Sequence, residues 1–179
     1  FLCMRPELIF LDVGGVILEI DSRRSLEPLG VTDPAKQNEI WKQVSDLDDH
    51  HKFERGEICE EHFFRTLTRE LAPNLSSVEL RSAWNRLVVG PLPGVERIFD
   101  QYSGTVPLVA LSNTNVCHYR HIMESFSILK RFDRFLSSFE LGHRKPEEAC
   151  FIAAAEEMGV KPEACLLIDD STANIEAAH

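Results

Sequence analysis

The sequence predicts a three-layer α/β fold: a parallel β-sheet with helices on both faces and a helical segment inserted after its first strand. Three observations carry this. The apolar runs at 8–11, 108–111 and 166–168 are short and unbroken, as strands buried on both faces require. Helical patterns alternate with such runs beyond Gly90. Between about residue 20 and Gly90 the periodicity is helical throughout.

The first run ends in Asp12, and Gly14 and Gly15 follow. A carboxylate buried within a strand would cost several kcal/mol, roughly 2–7, unless it were paired or bound a metal. At the C-terminal end of a parallel strand it faces the crevice where open α/β sheets bind ligands. A turn aspartate is the alternative for this stretch alone. Glu19 to Arg24 is polar and leads out of the core. A helix opens at Pro34, with Ile40, Val44 and Leu47 on one face. A second spans 60–71, with Phe63, Phe64, Leu67 and Leu71 as its stripe, and Gly56 and Asn74 mark breaks. A third begins with the capping-box pattern Ser76-x-x-Glu79 and carries Leu80, Ala83, Trp84, Leu87 and Val88. Trp41 and Trp84 lie on apolar faces and are expected in the core.

Pro91-Leu92-Pro93-Gly94 ends the helical segment, because that composition cannot continue a helix. A helix with Val95, Ile98, Phe99 and Tyr102 precedes the second buried run, which ends in Ser112 and Asn113. A helix over 118–130 follows, and 132–138 reads as a further strand. Lys145-Pro146 is expected to open a helix reaching Met158. The third run ends in Asp169-Asp170, and a last helix starts near Thr172. A parallel α/β domain would be expected to continue to a further strand after His179, and Phe1 suggests that the native start is absent.

A net charge of −10 argues against nucleic acid and against anionic membrane surfaces as partners. No run of 18 apolar residues indicates a membrane span, and Glu7 and Asp12 interrupt the apolar N-terminus, so no signal peptide is expected. Five cysteines with no CxxC read as reduced thiols in a cytoplasmic protein.

Strand ends on one sheet edge can bring Asp12, Gly14, Ser112, Asn113, Asp169 and Asp170 together, and Lys145 is added to them as a candidate site residue. These residue types suit phosphoryl transfer. Three carboxylates repel one another, and a bound Mg²⁺ offsets this. A carboxylate can attack phosphorus, a Ser hydroxyl and backbone N–H groups can hold phosphoryl oxygens, and Lys145 can neutralise charge on nucleophile and phosphate.

Four motifs in order carry a family resemblance: D-V-G-G-V from Asp12, L-S-N-T from Leu111, R-K-P-E from Arg144 and I-D-D from Ile168. With them the chain resembles the haloacid dehalogenase superfamily of hydrolases, mostly Mg²⁺-dependent phosphatases. F-E-R-G-E-I, L-S-N-T-N and L-G-H-R-K-P-E are similar to the group that includes α-D-glucose-1-phosphate phosphatase. The resemblance implies a Rossmann-like core over 1–19 and 91–179 and a C1-type helical cap over 20–90. It implies that Asp12 is the nucleophile. Mg²⁺ would be held by Asp12, the Gly14 carbonyl, Asp170 directly and Asp169 through water. Ser112 and the Asn113 backbone would bind the phosphoryl group, and Lys145 would pair with Asp12. The expected substrate is a small phosphorylated metabolite, and the expected assembly is a monomer or weak dimer.

The chain departs from the family where most members carry a second Asp, two positions past the nucleophile. Gly14 stands there, so the usual proton donor is missing. His51, Glu54 and Glu57 are candidate replacements, or else solvated helix-turn charges. Arg55 either reaches the substrate or anchors the turn. The departure keeps open a metal-independent 2-haloacid dehalogenase-type reaction, and a silent protein that binds a phosphorylated ligand or a partner. His118 and His121, three apart with no third ligand evident, read as surface residues.

Overall fold

The computed structural model describes residues 5–71 and 75–179. In chain order the elements are β1 (Leu8–Leu11), β2 (Leu18–Ile20), α1 (Arg23–Leu26), α2 (Pro34–Asp46), α3 (Asp48–Glu54), α4 (Glu60–Leu71) and α5 (Ser77–Asn85). Then come β3 (Val88–Pro91), α6 (Glu96–Tyr102), β4 (Leu108–Ser112), α7 (Val116–Ser125), β5 (Arg134–Ser137), α8 (Ser138–Leu141), α9 (Glu148–Met158), β6 (Cys165–Ile168) and α10 (Thr172–Ala178). Four strands form one parallel sheet in the order β5-β4-β1-β6.

Alternation along the central strands builds three layers. Ile9, Leu11, Leu108 and Ala110 face a core shared with Val95, Phe99, Ile122 and Leu129. Leu8, Phe10, Val109 and Leu111 face the other way, onto Cys150 and Ala154 of α9. β1 and β4 are buried along their whole length, as their apolar runs predict. β6 is a correction. It is an edge strand, with Leu166 44% and Ile168 41% exposed. Both stand in register with Ile9 and Leu11, on a face where β1 is covered and β6 is not.

The segment between β2 and β3 builds a further core, to which α7 adds Cys117. Val44, Phe53, Phe63, Phe64, Leu67, Leu80 and Trp84 are buried together. Asp33 caps α2 by accepting from the Lys36 N–H at 2.8 Å, and Ser76 with Glu79 forms the expected capping box. Asn74 lies outside the described residues, as do Cys3 and Met4. The remaining cysteines are free thiols.

Two local expectations are overturned. Val88 is not helical: α5 ends at Asn85, and Val88–Pro91 pairs antiparallel with β2, joining the two ends of the segment. So short a stretch, containing Gly and Pro, takes its conformation from its partner strand. Lys145-Pro146 does not open a helix, because α9 starts at Glu148 and both residues lie in the preceding turn.

His118 is a further correction. It is partly buried and stacks on Trp84, with ring centroids 4.9 Å apart. Asn115 caps α7, its Oδ1 accepting from the N–H groups of Cys117 and His118. That leaves its amide NH₂ to donate to His118 Nδ1 at 3.2 Å, so Nε2 carries the proton and donates to the Trp84 carbonyl at 3.1 Å. Burial pushes the ring pKa from 6.5 down to about 4. A depressed histidine pKa contributes stability above about 6.5 that is lost as pH falls toward 4. The full difference is about 3 kcal/mol. His118→Gln keeps one donor and one acceptor and cannot titrate. In urea unfolding, wild type should therefore lose up to about 3 kcal/mol more than the variant between pH 7 and 4. A pH-independent difference would contradict the assignment.

Candidate active site

Asp12 leaves β1 with its main-chain N–H donating to the Ile168 carbonyl at 2.9 Å, while its Oδ1 accepts the Val13 N–H at 2.7 Å. Its carboxylate stands at the C-terminal edge of the sheet, where the ends of β4 and β6 also lie. Gly15 has φ +79°, and a side chain there would strike the Asp170 carboxylate, so only glycine fits. Gly14 is different. Its φ is ordinary, and an added Cβ would lie 3.2 Å from Ile20, a side chain 42% exposed and free to give way.

Lys145 joins the strand ends. It is 1% exposed, yet its Nζ lies 3.1 Å from Asp12 Oδ1 and 2.5 Å from Asp169 Oδ2. Its main chain is clamped by the Asn113 side chain. Asn113 Oδ1 accepts the Lys145 N–H at 2.8 Å, and Asn113 Nδ2 donates to the Lys145 carbonyl at 2.7 Å. Two opposed bonds to one residue fix the position from which the lysine stem departs. Ser112 is buried at the end of β4, beside Ser137 of β5.

The two inner carboxylates are unequal. Burial raises the Asp12 pKa from 3.8 to about 6, Lys145 opposes this, and the charge of Asp169 adds to it. Burial also pushes Asp169 up, but Lys145, the Ser171 N–H and the Asn174 amide outweigh it and hold the carboxyl below its usual range. Asp169 Oδ1 accepts from Ser171 and Asn174, both at 2.9 Å, while Oδ2 takes Lys145. Asp170 is exposed, and among the described residues no hydrogen bond or ion pair holds its carboxylate. Oxygens of Asp12, Asp169 and Asp170 all lie within 4.8 Å of one another. Three carboxylates this close with one lysine form an acidic cluster suited to a hard cation.

Of the residues expected at the site, Asp12 and Asp169 both meet Lys145, Asp170 lies within 4.8 Å of the other two carboxylates, and Gly14 adjoins Asp12 in the chain. Asn113 contributes its side chain to the lysine, a role that sequence reading missed. Asn174 was missed too, although its place on the first turn of α10, five residues after Asp169, puts it in reach. Glu54 is not a solvated charge. It is buried and bonded to Arg144 at 2.8 Å. Glu57 is held by Arg55 at 2.5 Å, and His51 is partly buried.

The haloacid dehalogenase-like hydrolase family profile matches residues 6–179. A 6-phosphogluconate phosphatase of Escherichia coli is 32% identical, over 97% of this chain and 78% of its own length. A D-ribitol-5-phosphate phosphatase of Bacteroides thetaiotaomicron is 25% identical, over 93% of this chain and 84% of its own. Among solved structures, a haloacid dehalogenase family enzyme of B. thetaiotaomicron in complex with magnesium and inorganic phosphate superposes with a TM-score of 0.81, at 23% identity, over 97% of this chain and 89% of that one. An L-2-haloacid dehalogenase of Xanthobacter autotrophicus has a TM-score of 0.68 at 17% identity, over 97% of this chain and 73% of that one.

Proposed function

Because the chain belongs to the haloacid dehalogenase-like hydrolase family, we propose that it hydrolyses a small phosphate monoester, a sugar or polyol phosphate, with Mg²⁺ as cofactor and Asp12 as nucleophile. The observation that carries this reading is the cluster of three carboxylates around one buried lysine. A haloacid dehalogenase-type reaction has no use for a cation among its carboxylates. Here Asp170 has no protein partner among the described residues and lies within 4.8 Å of both other carboxylates. Asp12, Asp170 and the Gly14 carbonyl would hold the ion, with Asp169, which already accepts three hydrogen bonds, acting through water. The ion supplies charge neutralisation and keeps Asp12 ionised.

Asp12 attacks phosphorus, the P–O ester bond breaks, and the leaving alkoxide takes a proton from water or a substrate hydroxyl and departs as the alcohol. Water then attacks the phosphorus of the aspartyl-phosphate, releasing inorganic phosphate and regenerating the carboxylate. Ser112 and the Asn113 main chain hold phosphoryl oxygens, and Lys145 orients Asp12 and offsets the charge that gathers on it. In this reading residues 1–19 and 91–179 form the core and 20–90 a cap that sets specificity, an arrangement supported by the pairing of Leu18 with Pro91 at the segment's two ends. Free thiols at the described cysteines support a cytoplasmic location.

Phosphate release from a panel of sugar and polyol phosphates, with Mg²⁺ and with EDTA, tests the reading. Release that requires Mg²⁺ is expected. Halide release from 2-haloacids without metal would replace this reading with the dehalogenase one, and ligand binding without turnover would favour a silent protein.

The missing proton donor gives a second prediction. Gly14 has an ordinary φ and room beside a yielding side chain, so Gly14→Asp should fold. It should speed esters with alkyl leaving groups by about 10–100-fold, because alkoxides need a proton as they leave. 4-Nitrophenyl phosphate, whose leaving group needs none, should change by less than about threefold. Equal effects on both would show that the new carboxylate is not an acid catalyst.

A further inference from the structure

Beside Lys145 lies a group of charges that the proposed reaction does not use. α3 ends in Glu54, and Arg55, Gly56 and Glu57 form the turn after it. The loop that bears Lys145 carries Arg144 before it and Glu147 after it. The signs are crossed between the two. Glu54 Oε2 accepts from Arg144 Nε at 2.8 Å, and Arg55 donates to Glu147 at 3.3 Å. Glu54 is 8% exposed, and removing Arg144 would leave a buried carboxylate without its hydrogen-bond donor. Its other neighbour is His50, 3.8 Å away, which burial holds below its ordinary pKa and so leaves uncharged near neutrality. Gly56 has φ +70°, and a Cβ there would collide with the Phe139 carbonyl, so the turn is seated closely on α8. The Arg144 N–H donates to Glu147 Oε2 at 3.2 Å and closes the loop around Lys145.

We propose that Glu54 is a positioning residue for Lys145: by holding Arg144 it fixes the residue next to Lys145, which the Asn113 clamp does not reach. The inference rests on the phosphatase reading for its activity readout. The ammonium of Lys145 serves two carboxylates at once, so a small displacement of its loop costs alignment with one of them. Asn113 holds the main chain of Lys145 but not the residue before it. Without Glu54, Arg144 loses its buried acceptor and turns to water, and the loop keeps the Asn113 clamp and the longer Arg55–Glu147 contact but loses its hold on the residue beside Lys145.

The test is a double-mutant cycle in the full chain with 4-nitrophenyl phosphate and Mg²⁺. Glu54→Gln and Arg144→Gln should each lower kcat about tenfold, with KM changed less than about threefold. The double variant should be no worse than the poorer single one, because the two residues act as a pair. Glu54→Asp, which keeps the charge, should recover most of the lost kcat. Singles that retain kcat while Tm falls would make the pair a structural clasp and overturn the proposal. A raised KM in Arg144→Gln, multiplying with Glu54→Gln, would overturn it in favour of direct substrate contact. Wild-type turnover is measured first, and its absence counts against the phosphatase reading alone. The ¹⁵N resonance of the Lys145 ammonium, assigned by its loss in Lys145→Met, then reads positioning directly. It should shift in Glu54→Gln, and an unchanged resonance would overturn the proposal whatever the reaction.

Discussion

Asp12→Asn should abolish turnover and leave the metal-free protein more stable than wild type at neutral pH. Loss of the attacking oxygen should lower kcat by about 10⁴–10⁶, the range seen when a nucleophile is removed. The gain in stability follows from burial. The Asp12 carboxyl is raised from 3.8 to about 6, so its ionised form is disfavoured in the fold. A raised acid contributes stability below about 3.8 that is lost as pH rises through about 6. Removing the charge should therefore add as much as ~3 kcal/mol above pH 6 and little below pH 4. The introduced amide keeps an oxygen to accept the Val13 N–H, and Lys145 keeps Asp169. Phosphate release and urea unfolding at pH 4 and 8 check both halves. Full activity in the variant would remove Asp12 from the mechanism.

Lys145→Met should damage both fold and reaction. Methionine fills much of the same space but leaves Asp12 and Asp169, whose side chain is 0% exposed, without their shared cation. Breaking a buried ion pair by removing one partner costs about 3–5 kcal/mol. The penalty has a direction in pH. Without the lysine, Asp12 is pushed further toward its protonated form, so acid relieves the repulsion. Destabilisation should be larger at pH 8 than at pH 5.5, and added Mg²⁺ should relieve it at pH 8. Turnover should fall by at least about 10³, because charge stabilisation and the alignment of the nucleophile are lost together. A destabilisation that grows on acidification would contradict this account.

The site was legible in the sequence where chemistry coincides with pattern. Asp12, Ser112 and Asp169 each follow an unbroken apolar run, and parallel pairing puts the ends of such runs on one edge. Lys145 needed its motif, because nothing local in the sequence says that a turn lysine will be buried. The contacts that hold it were out of reach. Asn113 and Lys145 stand 32 positions apart, and Glu54 and Arg144 stand 90 apart. No periodicity connects residues on different elements. β3 was missed for a related reason: two valines followed at once by a Gly and a Pro are too short a strand signal to read until β2 lies beside them. His118 was misread because its partner is a main-chain carbonyl, which every residue has. The exposed side of β6 was misread because an apolar run says that a strand is wanted, not which of its faces will be covered.

The way Lys145 is held has a consequence for the protein's life on the ribosome. Its ammonium meets residues from the ends of β1 and β6, and its main chain is gripped from the end of β4. Asp12 follows the first of these strands to be translated, and Asp169 follows the last of the four that pair in the parallel sheet. Until β6 has emerged and docked beside β1, Asp12 lacks its neighbouring acids and Lys145 lacks one of its two carboxylates. On the proposed mechanism, a nascent chain arrested before β6 would carry Asp12 without the carboxylates that complete its site. On that mechanism hydrolysis would begin only when the sheet is assembled, and a product that ended before β6 would add to the protein mass but not to the activity.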